Sequence, residues 1–244
     1  MVAQFLTITL FLFSSFVSHL NANPTSTKFK SFLFSKKTNL VTESTAIALY
    51  SDLQTKQYEL PSLTSFTQAL KGFYKLKEKG IIKKDILTLI DFSLSSNVKR
   101  LWVIDLASKT ILFQSLVAHG RNTGEEFPTS FSNAAQSFKS SLGFYATGEV
   151  YNGKHGLSLR LDGLEKGIND NARNRGVVMH AADYVSNSFV KNNKRLGRSQ
   201  GCPAVPVALS KEIISTIKDK SCLFIYHPKL VSSLSSYIFL DIKK

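Results

Sequence analysis

The spacing of apolar residues changes period at Ile86, and this change restricts the fold more than any other feature of the chain. Upstream, Leu63, Phe66, Leu70 and Phe73 recur at intervals of three and four, the stripe of one amphipathic helix over about Ser62 to Lys79. Pro61 precedes it, Lys75, Lys77 and Lys79 fill its last turns, and Gly80 follows as a stop. A shorter helix is expected over Ser44 to Leu53. From Ile86 the runs become short and strand-like: Ile86 to Phe92, Leu101 to Leu106 and Thr110 to Val117, separated by turn-forming residues. Residues 119–141 are polar and read as a long loop. Further strands are expected at Leu142–Thr147, Ser158–Leu161, Gly176–Met179 and Cys222–Tyr226, with helices over Tyr184–Lys191 and Leu209–Lys218. The expected class is α+β: a β-rich portion over residues 83–230, preceded by a helical portion over residues 43–82. The stripe from Leu63 to Phe73 needs a partner surface, so the helical portion is expected to pack on the β-rich one.

With 244 residues and 43% hydrophobic content, the composition is that of a globular chain. The net charge of +14 suits anionic partners. Lys and Arg are scattered, however, and no basic helix is interleaved with aromatics, so nucleic acid is not an expected partner. Phe5 to Val17 is apolar but shorter than the roughly 20 residues that span a bilayer. Residues 1–22 read as a signal peptide cut after Ala22, although Lys and Arg are missing from the first five positions. Residues 23–42 then form a linker and residues 231–244 a C-terminal tail. Export is expected, with no integral membrane segment left after cleavage.

Cys202 lies between Gly201, which opens backbone angles closed to other residues, and Pro203, which fixes φ and lacks an N–H. That turn presents the sulfur either for a disulfide with Cys222, twenty residues on, or as a nucleophile. A nucleophilic cysteine needs a base. Of the five histidines, His19 lies in the signal peptide, His227 follows the last strand, and His119 and His155 each precede a glycine at a turn. His180 closes the apolar run Val177-Val178-Met179, a position that is held yet can face a cleft; it is the first candidate and His155 the second. Asp183 either orients this imidazole or caps the helix that follows. Ligand spacing for a metal and a glycine-rich phosphate loop are both missing, so no metal and no cofactor is expected.

Val178-Met179-His180-Ala181-Ala182-Asp183-Tyr184 followed by Gly197-Arg198-Ser199-Gln200-Gly201-Cys202-Pro203-Ala204-Val205-Pro206 resembles the murein L,D-transpeptidase catalytic domain family, a branch of the YkuD-like L,D-transpeptidases. Blocks in the same order, among them Val117 to Asn122, Ser140 to Phe144 and His155 to Leu161, extend the resemblance over about residues 45–228. It implies a β-rich domain in which Cys202 attacks a carbonyl of a peptidoglycan stem peptide while His180 handles the proton as a thiolate–imidazolium pair. The acyl group then passes to an amine, or to water in an L,D-carboxypeptidase. Ser199 and Gly201 match the motif and would orient the base or line the oxyanion site. Pro203 cannot donate there, having no N–H. Gln200 replaces a histidine of the wider motif, and its arginine or asparagine after the cysteine is missing. Arg198, Arg160 and His155 are the candidates for binding substrate instead. The resemblance implies the bacterial periplasm or cell envelope. A non-catalytic wall-binding domain with a Cys202–Cys222 bridge is the alternative from another class.

Overall fold

In a computed structural model, residues 41–230 are described, and they belong to one compact unit. The expected signal peptide, most of the linker and the tail lie outside the described residues. Helix α1 (Glu43–Ser51) is capped by Thr42, and α2 (Leu63–Glu78) by Ser62, whose hydroxyl accepts from Ser65 N at 3.2 Å. Phe66, Leu70 and Phe73 of the expected stripe are buried together with Ala69 and Leu76, whereas Leu63, in the first turn of α2, is exposed. The buried stripe lies across β1 (Ile86–Asp91) and β8 (Cys222–Tyr226). Gly72 is the point of closest approach, because a Cβ there would overlap the Phe144 ring.

The remaining strands are β2 (Leu101–Asp105), β3 (Thr110–Ser115), β4 (Gly143–Gly153), β5 (Gly156–Gly163), β6 (Val178–Ala182) and β7 (Ala204–Pro206). They form one eight-stranded sheet in the order β3-β2-β1-β8-β4-β5-β6-β7. The pairs β1–β8 and β6–β7 are parallel and the rest antiparallel. The class is the expected one, α+β and β-rich. Strand β7 was not expected: its three residues are few and end in Pro206, and proline demotes a strand reading. Helices α3 (Asn187–Asn193) and α4 (Val207–Ile217) follow β6 and β7. Met179, Leu159, Leu161 and Val205 join the main core, on the α4 side of the sheet. Side chains alternate faces along a strand, so His180, Ser158 and Arg160 project from the other face.

The parallel β6–β7 pair positions the site. His180 is in register with Ala204. Two residues upstream on each strand, Val178 and Cys202 are therefore level, which joins positions 24 apart in sequence.

At the start of β4, the Glu165 carboxylate accepts from Phe144 N at 2.6 Å, while its other oxygen is buried without a partner. Burial raises this carboxyl to about 7, against the Phe144 hydrogen bond. A folded-state value above the unfolded one means that the contribution to stability is complete below about pH 4.5 and lost as pH rises through 7. Glu165→Gln is neutral at all pH and still accepts from Phe144. It is expected to be more stable than wild type at pH 8 by about 3 kcal/mol, with the advantage gone at pH 4. Denaturant unfolding at the two pH values checks this.

Candidate active site

The Cys202 turn is built by its neighbours. Ser199 Oγ donates to Cys202 O at 2.6 Å and accepts from Gly201 N at 3.0 Å. Ser199 is pinned to the preceding loop through Ser199 N to His119 O and Arg121 N to Ser199 O. Gly201 has φ +121°, and a Cβ there would stand 2.9 Å from Lys139 O. A Cβ at Gly120 would stand 2.8 Å from Gly201 Cα. Two glycines thus let the 118–141 loop close on the cysteine turn, and Ser140 Oγ donates to Gly201 O at 3.1 Å to hold it.

Cys202 is part-exposed. Its Sγ accepts from Val178 N at 3.5 Å and its thiol donates toward Gly176 O at 3.8 Å. His180 is the middle residue of β6 and 4% exposed. Its Nδ1–H donates to Ala181 O at 2.8 Å, which leaves Nε2 as the basic nitrogen. The ring of His155, at the tip of the β4–β5 hairpin, stacks on that of His180 at 4.5 Å.

Burial pushes the Cys202 thiol up, against the Val178 N–H and the Arg175 cation. It pushes His180 down, against the bond to Ala181 O and reinforced by His155 and Lys154. Both shifts favour the uncharged forms, the opposite direction to the thiolate–imidazolium pair expected from the sequence. Among the described residues, no hydrogen bond links the two side chains.

The other expected site residues have partners of their own. The Gly201 N–H donates to Ser199 Oγ and the Ser199 hydroxyl to Cys202 O, so both groups expected to line the oxyanion site or orient the base are engaged within the turn itself. The N–H groups of Gln200 and Cys202 have no acceptor among the described residues. Asp183 accepts from Tyr184 N and is not the cap of α3, which is Ser186. Arg198 is engaged by Arg121 O, Gly124 O and Glu125. Arg160 lies opposite Val178 on β5, ion-paired to Glu149 and over the Tyr151 ring. Both cysteines are free. Cys222 on β8 is four strands from β7, roughly 19 Å across a sheet, whereas a disulfide needs Cα atoms within about 7 Å.

Sequence reasoning missed Arg175, beside the Gly201 turn, and the buried pair Arg100 and His119. Arg175 lies in a polar loop with no periodicity. His119 looked like a turn residue because Gly120 follows it, yet it is 1% exposed and accepts from Arg100 Nη2 at 2.8 Å.

A family model described as the L,D-transpeptidase catalytic domain matches residues 57–226. An L,D-transpeptidase from Mycobacterium smegmatis aligns at 12% identity and TM-score 0.36 over 59% of this chain, which spans 59% of that protein's length. One from Xylanimonas cellulosilytica aligns at 11% identity and TM-score 0.35, covering 73% of this chain and 90% of the other. L,D-transpeptidase 3 from Mycobacterium tuberculosis aligns at 10% identity and TM-score 0.36, covering 59% and 61%. No curated protein sequence matches. On the strength of the family model, which takes in both Cys202 and His180, the chain belongs to the L,D-transpeptidase catalytic domain family.

Proposed function

We infer that this chain is a cysteine-dependent peptidoglycan L,D-transpeptidase of the cell envelope, exported by residues 1–22. The observation that carries the reading is the parallel β6–β7 register. It sets Cys202 at the end of a strand pair whose other member holds His180 with Nδ1–H tied back and Nε2 free. The Cys202 sulfur attacks the carbonyl that joins the third, diamino-acid residue of a tetrapeptide stem to D-alanine. The S–H proton passes to His180 Nε2 as the C–S bond forms. The oxyanion is met by the N–H groups of Cys202 and Gln200, since Pro203 has none and that of Gly201 is taken. Collapse breaks the C–N bond, and D-alanine leaves with the proton from His180. An amine acceptor then attacks the thioester, loses its proton to His180, and the thiol is restored.

Incubation with disaccharide tetrapeptide is expected to release D-alanine and to yield cross-linked dimer. Release of D-alanine with tripeptide alone makes the protein an L,D-carboxypeptidase, with water as acceptor. Release of neither contradicts both readings.

A neutral base sets the pH dependence. kcat/KM is expected to fall on the acid side with a midpoint below 6.5, the direction in which burial moves His180. His155→Ala uncovers the His180 ring and removes one of the neighbours that lower it, so that midpoint should rise toward 6.5. A pH–rate series on both proteins reads the shift.

A further inference from the structure

Arg175 precedes Gly176, whose carbonyl meets the Cys202 thiol, and lies three residues before Val178, whose N–H meets its sulfur. Its guanidinium reaches four acceptors in one segment of the 118–141 loop. Nη1 donates to Ser132 O at 2.8 Å and Ser141 Oγ at 2.6 Å, and Nη2 to Ser137 Oγ at 3.2 Å and Lys139 O at 2.6 Å. Nη2 would be 3.4 Å from a Cβ at Gly201, so the cation abuts the residue before the nucleophile.

Every one of those acceptors is neutral. Arg160, Arg173, Arg195 and Arg198 each have a carboxylate at ion-pair distance, and among the described residues Arg175 has none. A part-buried guanidinium held only by neutral oxygens has no counter-ion to cancel its charge, and its neighbour is a sulfur that must become negative. Burial and Cys202 push the Tyr184 phenol, after β6, up to about 12, and burial pushes the His180 imidazole down.

We propose that Arg175 is the positioning residue of this site: one guanidinium clamps residues 132–141 against the Gly201–Cys202 turn and supplies the uncompensated positive charge that favours ionisation of the Cys202 sulfur. The proposal rests on Cys202 as nucleophile, but its test reads the thiol itself and needs no turnover.

The experiment is the pH dependence of Cys202 alkylation by iodoacetamide, followed by peptide mass spectrometry so that the buried Cys222 is counted apart. Arg175→Met is expected to move the alkylation midpoint up by about one pH unit and to slow alkylation at pH 7 roughly tenfold. Arg175→Lys keeps the charge and loses the fork, so its midpoint should stay near wild type while KM for the stem tetrapeptide rises. Arg175→Gln, which keeps a donor toward Lys139 O, gives the uncharged comparison if the Met variant does not fold. A wild-type midpoint in a folded, uncharged variant overturns the electrostatic role. Equal shifts in the Lys and uncharged variants overturn it too, leaving only a clamp. In either case the Cys202 assignment stands or falls separately, on the activity of Cys202→Ala.

Discussion

Cys202→Ala is expected to abolish D-alanine release while leaving the fold intact. Removing the nucleophile from an acyl-transfer site costs on the order of 10⁴- to 10⁶-fold in kcat. The stability cost is small, because the sulfur is part-exposed and makes two long contacts, at 3.5 and 3.8 Å. Losing the thiol also removes a group that burial disfavours in its charged form. Cys222→Ala is the opposite case. That sulfur is fully buried on β8, so the substitution opens a small cavity costing about 1 kcal/mol and leaves turnover alone. Assay of D-alanine release beside thermal melting of both variants separates the two cysteines. A bridged, non-catalytic domain predicts equal destabilisation by either substitution and no change in turnover.

Arg100→Met should destabilise the fold severely. Arg100 is completely buried at the end of the first two strands of the meander. Its Nε and Nη2 donate to Val117 O, Nη1 to Leu94 O at 2.7 Å, and Nη2 also to His119 Nδ1, with the guanidinium over the Phe92 ring. Burial pulls it down to about 9, against the nearby Asp91 carboxylate, so it is charged at pH 7. Methionine fills the volume but strands two carbonyls and an imidazole nitrogen, and removes the cation nearest the buried Asp91, which keeps its Ser93 hydrogen bonds. Breaking such a network costs about 3–5 kcal/mol, and Tm should fall by roughly 10 °C. Activity should fall with it, because His119 O and Gly120 lie directly under the Ser199–Gly201 turn. Thermal unfolding checks the first claim, and kcat measured well below the lowered Tm checks the second.

Periodicity made the frame of this fold legible. The α2 stripe, the meander from Ile86 and the buried run at Cys222 all sit where apolar spacing places them, because each buries one face or both against the core. The outer half of β4 was not legible. From the register shift between Thr147 and Val150 onward it runs through Glu149, Tyr151 and Asn152, whose polar composition carries no strand signal. The cysteine turn could be read from Gly201 and Pro203, since a positive φ and a missing N–H are properties of those residues themselves. What lies around it could not. Which acceptor takes the Gly201 N–H, where the Arg198 and Arg175 guanidiniums end, and how far burial neutralises His180 all depend on loops that meet only in three dimensions.

If Cys202 is the nucleophile, it forms a covalent thioester with the stem peptide. Acid-quenched wild-type protein incubated with disaccharide tetrapeptide should gain the mass of the disaccharide-tripeptide acyl group, and peptide mapping should place it on Cys202, with none on Cys202→Ala. An adduct on another residue, or D-alanine release by Cys202→Ala at the wild-type rate, contradicts Cys202 as the nucleophile.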